Sequence, residues 1–108
     1  MTSCSKDGMV ANLMFNVTMA EYQIQSSNYT AVKVRYYVQN NSSHTLYYLK
    51  FRVTHPSGSI TEHEIGSKSN SSQWNLGAYD GTYTNYYKCS IPHQDGNIIS
   101  EILDYSYY

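Results

Sequence analysis

Apolar and polar side chains alternate along much of this chain. Val32, Val34, Tyr36 and Val38 interleave with Lys33, Arg35, Tyr37 and Gln39. That period of two is the pattern of a half-buried strand. Asn40 to His44 supplies turn residues, and a second strand follows over 45–54. There Tyr47, Leu49, Phe51 and Val53 share one face, opposite Lys50 and Arg52. His55-Pro56-Ser57-Gly58 places proline early and glycine late, the order of a type I turn. A more polar run over 60–65, with Glu62 and Glu64 on one side, suits an edge strand. Further strands are expected over 72–76, with Ser72, Trp74 and Leu76 on one face, and over 82–91, with Tyr83, Tyr87, Cys89 and Ile91 on one face. The last strand, over 97–108, is expected to show Ile99, Leu103, Tyr105 and Tyr107 on one face after a bulge near Ser100.

The first segment reads two ways. Val10, Leu13, Met14 and Val17 fit helical spacing, whereas Phe15, Val17 and Met19 fit a strand. The company of strands favours the second reading. About seven strands at roughly ten-residue spacing, joined by Ser/Asn/Gly turns, give an all-β fold, an antiparallel β-sandwich. Residues 1–8 are expected to form a flexible N-terminal tether and residues 9–108 the sandwich domain.

The stretch Val38 to Val53, with Asn40-Asn41-Ser42-Ser43 ahead of Tyr47, Leu49, Phe51 and Val53, resembles the centre of FxLYD-like bacterial immunoglobulin-type domains. Thr82-Tyr83-Thr84-Asn85-Tyr86-Tyr87 resembles a later segment of the same family, and Ile98 to Tyr108 its closing strand. The resemblance spans residues 32 to 108. It departs from the family at Ala78-Tyr79-Asp80-Gly81, where a Pro-Gly turn is usual. It implies an immunoglobulin-like sandwich that serves as an accessory module of bacterial surface proteins, with no catalytic residues to carry over. Separately, Cys4-Ser5-Lys6-Asp7 resembles the mature start of Bacteroides-type lipoproteins. That likeness implies lipidation at Cys4 and an extracellular or cell-surface location, with membrane contact only through the anchor. If Met1 is the native start, a cytoplasmic location is expected instead.

Composition narrows the function. The 108 residues carry a net charge of −1 and only 14% charged residues, with a pI near 6.4. No basic footprint points to nucleic acid. No stretch approaches the roughly 18 apolar residues of a membrane span. His44, His55, His63 and His93 lack HxH or HxxxH spacing, and the cysteines Cys4 and Cys89 lack a CxxC partner. No metal site or other cofactor is therefore expected. Cys89 reads as a small buried hydrophobe, and a Cys4–Cys89 disulfide stays open. His63 lies between Glu62 and Glu64, but a strand turns it to the opposite face from both. No Gly-x-Ser-x-Gly elbow or phosphate-binding glycine loop is present. An enzyme would need two or more histidines to converge with a carboxylate, so no enzyme is expected. The Asn-x-Ser/Thr matches at Asn16, Asn28, Asn40, Asn41 and Asn70 follow from composition.

Thirteen tyrosines remain. Alternation assigns Tyr36, Tyr47, Tyr83, Tyr87 and Tyr105 to the core and leaves Tyr37, Tyr48 and Tyr86 on polar faces. Tyrosine combines a rigid apolar ring with a hydrogen-bonding tip, the chemistry of binding surfaces. The expected function is thus a non-catalytic binding or adhesion module that recognises a protein or glycan through Tyr37, Tyr48, Tyr86 and Trp74. The alternatives are a carbohydrate-binding module stacking Trp74, Tyr48 or Tyr86 on sugars, and a small phage- or host-encoded inhibitor acting by surface occlusion.

Overall fold

A computed structural model describes residues 11–25 and 27–108. The expected tether over 1–8, and with it Cys4, lies outside the described residues. One helical turn, α1 (Ala11–Met14), runs directly into β1 (Phe15–Gln25). The strand reading favoured from the sequence holds from Phe15 onward; the helical spacing through Val17 is confined to one turn ahead of it, and Val10 lies outside the described residues. The remaining strands are β2 (Thr30–Asn40), β3 (Leu46–Thr54), β4 (Ile60–Gly66), β5 (Gly81–Tyr83), β6 (Tyr87–Pro92) and β7 (Ile99–Tyr107).

They form two antiparallel sheets. In the first, β2 is central, with β1 on one side and β5 and β6 end to end on the other. In the second, β3 is central between β4 and β7. The fold is the expected all-β sandwich. Phe15, Val17, Val34, Tyr36 and Val38 from the first sheet meet Leu46, Leu49, Phe51, Val53 and Ile102 from the second, all fully or nearly fully buried. One side is closed by a Phe15–Tyr105 ring contact at 5.2 Å and by Ser100 Oγ donating to the Val17 carbonyl at 2.8 Å.

Several sequence expectations are corrected, each for a local reason. Val32 is exposed because it is the extra residue of a bulge, so Ala31 and Val34 point inward instead. A register shift between Leu46 and Tyr48 buries Leu46 and leaves Tyr47 half-buried, its ring 5.6 Å from Tyr108. The expected strand at 72–76 is a loop held by a single bridge, Leu76 to Leu46. The expected strand at 82–91 breaks at Thr84. This residue is buried, donates its N–H to the Tyr36 carbonyl at 2.8 Å and accepts the Tyr36 N–H on Oγ1 at 3.0 Å. Tyr83 is consequently exposed rather than core. In β7 the irregularity falls at Leu103 rather than Ser100, since Ile102 pairs with Phe51 and Asp104 with Lys50. Ile102 is buried, while Ile99 is 71% and Tyr107 39% exposed.

The β2–β3 corner is organised by one side chain. Asn40 is fully buried; its Nδ2 donates to the carbonyls of His44, Leu76 and Gly77 at 2.8, 3.0 and 3.0 Å. Its Oδ1 accepts from the Ser42 N–H and hydroxyl at 2.9 and 2.7 Å. Buried carbonyls need such partners. Gly66 ends β4 with φ at 78°, where a side chain would strike the Tyr47 carbonyl.

Candidate functional site

Alternation in β2 buries Val34, Tyr36 and Val38 and turns Lys33, Arg35, Tyr37 and Gln39 to the outer face of the first sheet. Neighbouring strands extend these positions into cross-strand rows. Tyr37 lies opposite Met19 on β1 and Tyr83 on β5. Arg35 lies opposite Glu21, and Lys33 opposite Gln23 and Lys88.

The rows are knitted around Arg35. Its Nη2 lies 2.7 Å and its Nε 2.8 Å from Glu21 Oε1. The guanidinium carbon stands 4.2 Å from the Tyr83 ring centroid and 5.1 Å from that of Tyr86. Tyr37 meets Tyr83 edge-on at 5.1 Å. The Arg35 hydrogen bond holds the Glu21 carboxyl below its usual range, and Glu21 raises the Arg35 guanidinium in return. The Glu21 carboxylate also raises the Tyr83 phenol. Solvent screening leaves exposed ion pairs and cation–ring contacts little net effect on stability. Their main effect here is to fix rings and charge in one arrangement on a surface that stays open: Met19 is 46%, Tyr83 38% and Tyr86 38% exposed.

Of the residues singled out from sequence, Tyr37 and Tyr86 lie in this patch. Tyr48 does not. It sits on the outer face of the second sheet, 4% exposed, donating its hydroxyl to Glu64 with Lys68 above its ring. Burial, reinforced by Glu64, pushes its phenol up to about 12. The expected joint face of Tyr37, Tyr48 and Tyr86 is therefore divided between opposite sides of the sandwich. Trp74 packs half-buried against the core, with its ring edge beside Gly66. Sequence reasoning missed Glu21, Arg35 and Tyr83. Arg35 carried the signal, because alternation already placed it beside Tyr37.

Two histidines also converge, inside the sandwich. His63 Nε2 is 2.9 Å from the Tyr36 hydroxyl and 2.8 Å from Thr61 Oγ1. His55 Nε2 is 2.9 Å from the same Thr61 oxygen, and its Nδ1 is 2.8 Å from the Tyr22 hydroxyl. As expected from alternation, Glu62 and Glu64 face outward, to Arg52 and Tyr48. The convergence thus brings imidazoles to hydroxyls, with no carboxylate among their hydrogen-bond partners. Burial pushes His63 down to about 4, with the neighbouring His55 adding to the shift, and burial lowers His55 as well. Burial also raises the Tyr36 phenol. Among the described residues, no group of three or more His, Cys, Asp or Glu side chains is placed to hold a metal ion. Cys89 is half-buried, directs its thiol to the Ala31 carbonyl at 3.3 Å, and is raised by burial.

A separate open cleft of about 550 Å³ is lined by Ile24, Tyr29, His93, Gln94 and Asp95. His93 Nε2 faces Asp95 there at 3.4 Å, and its Nδ1 is buried without a hydrogen-bond partner.

Compared with family models, with curated proteins and with solved structures, the chain matches none.

Proposed function

We propose that this protein is a non-catalytic recognition module whose outer β1–β2–β5 face binds a protein ligand. The observation that supports this reading most is the Arg35 guanidinium held by Glu21 among the rings of Tyr37, Tyr83 and Tyr86. Tyrosine and arginine dominate the energetics of protein interfaces because rigid rings bury area at low entropy cost. A pre-formed cluster lowers that cost further. The same face serves a surface adhesin or an inhibitor that occludes its target. The Cys4 likeness favours the exported, surface-tethered version, which metabolic labelling with an alkynyl fatty acid tests. Label lost in Cys4→Ala is the expected result.

The glycan reading is an arm of the binding test. Fluorescent protein is applied in parallel to a surface-protein array and a glycan array. Binding to array proteins is expected to weaken at least tenfold, about 1.4 kcal/mol, in Arg35→Ala and in Tyr83→Ala. Tyr48→Phe, which keeps the buried ring on the other sheet, is expected to bind as the wild type does. Binding confined to glycans would overturn the protein reading. Binding unaffected by both variants, or absent from both arrays, would overturn the assignment of this face.

A further inference from the structure

The polar cluster in the core bridges the two sheets. Tyr22 on β1 and Tyr36 on β2 belong to one sheet; His55, directly after β3, and Thr61 and His63 on β4 belong to the other. The Tyr22–His55 and Tyr36–His63 hydrogen bonds, at 2.8 and 2.9 Å, cross from sheet to sheet. A longer Tyr36–His55 contact at 3.4 Å does so too. Neutral imidazoles are compatible with these contacts. In one tautomer assignment Tyr22 donates to His55 Nδ1, His55 Nε2–H donates to Thr61 Oγ1, and the Thr61 and Tyr36 hydroxyls share His63 Nε2 as acceptor.

Among the described residues, no carboxylate is a hydrogen-bond partner of either imidazole. Phe51 of β3 lies 5.3 Å from the His63 ring, and Tyr87 of β6 lies 4.4 Å from it. The titratable groups facing the cluster are Tyr22, Tyr36, Tyr87 and Cys89, with the His93 ring 5.6 Å beyond Tyr22. Asp95, which His93 meets, is fully exposed. Protonating His55 and His63 would therefore place two cations on either side of one hydroxyl, with no carboxylate among their described partners to receive them.

We propose that the Tyr22–His55–Thr61–Tyr36–His63 cluster is an acid-operated latch between the sheets: neutral imidazoles hold this end of the sandwich shut, and proton uptake parts it. Tyr22 neighbours Glu21 in sequence, and Tyr36 lies between Arg35 and Tyr37. Parting the latch therefore also disturbs the outer face. The latch itself does not depend on what that face binds.

The direction of the pH effect follows from the shifts. The folded state holds its imidazoles neutral, so the unfolded chain binds more protons as pH falls below the usual histidine range. Stability is full above about pH 6.5 and declines from there toward the lowered folded value, about 4 for His63. Glu21 and Asp104, held low by Arg35 and Lys68, give up their contributions as pH falls through and below the ordinary carboxylate range.

Urea unfolding of the full chain between about pH 7.5 and about pH 5 tests the proposal. The His63 shift alone lowers the folding equilibrium constant roughly 30-fold over that interval. His63→Gln is expected to reduce the dependence to the part that His55 contributes, while His44→Gln, outside the cluster, keeps it. Imidazole carbon resonances of the wild-type protein give the answer even if His63→Gln does not fold. A His63 signal that stays neutral through pH 5 supports the latch. A constant that changes less than about twofold, or a His63 signal titrating near pH 6.5, would overturn it.

Discussion

Replacing Asn40 with alanine is expected to lower stability by about 3 kcal/mol, and the thermal midpoint by roughly 12–20 °C. The Asn40 side chain makes five hydrogen bonds, all in or at the edge of the core. Alanine takes one of two hydrogen bonds from each of three carbonyls, which keep the Leu46 N–H, the Asp80 N–H and the Ser42 hydroxyl, and removes the acceptor of the Ser42 N–H; each lost bond costs about 0.5–1.5 kcal/mol before relaxation. Asn40→Asp is expected to be at least as damaging. It keeps the acceptor facing Ser42 but directs a carboxylate oxygen at the three carbonyls. Asn41, one residue on, is exposed, and Asn41→Ala is expected to stay within about 0.5 kcal/mol of the wild type. Calorimetry on the three variants checks the set.

Phe51→Ala is expected to cost about 4 kcal/mol, read as a lowered urea midpoint at unchanged slope. Phe51 sits fully buried in the central strand of its sheet, paired with His63 on one side and Ile102 on the other. Its ring packs edge-on against Tyr36 at 5.3 Å, so the truncation leaves a void beneath the Tyr36–His63 hydrogen bond as well. Phe51→Leu fills most of that volume and is expected to retain more than half of the lost stability. Against a typical total of about 5–15 kcal/mol, either large effect removes a substantial part of the folding free energy.

Strands β2 to β4 were legible because each buries one face and exposes the other, so period two survives along most of their length. What sequence could not show were the places where pairing slips by one residue. Val32 and Leu103 look apolar and in phase, yet each is the extra residue of an irregularity that only the partner strands define. The Thr84 break is similar. A threonine in a Thr-Tyr-Thr run reads as an outward strand position, and its hydrogen bonds to Tyr36 appear only across the sheet. Asn40 reads as the first of five turn residues, because the loop carbonyls it binds lie 36 and 37 positions away at Leu76 and Gly77.

The site was legible to the same degree and for the same reason. Outward alternation found Tyr37, and Tyr86 joined it by meeting Arg35 directly, but the ring that ties Tyr37 to Arg35 is Tyr83, turned outward by the Thr84 break. Tyr48 was assigned to the correct outer surface of its strand, yet Glu64 and Lys68 from later elements cover it. The convergence of His55 and His63 follows from the β3–β4 hairpin register, which sets Phe51 against His63. Nothing in their local sequence shows the cross-sheet tyrosines.

The proposed function places recognition on the outer β1–β2–β5 face and leaves Tyr48 and the buried imidazoles to hold the fold. Its most direct test follows the backbone amide resonances of isotope-labelled protein as the ligand captured on the protein array is added. Shift changes are expected to concentrate at Met19, Glu21, Arg35, Tyr37, Tyr83 and Tyr86. Changes concentrated around Lys50, Arg52 and Glu62 on the opposite face, or at Ile24, Tyr29 and His93 in the cleft, would contradict it.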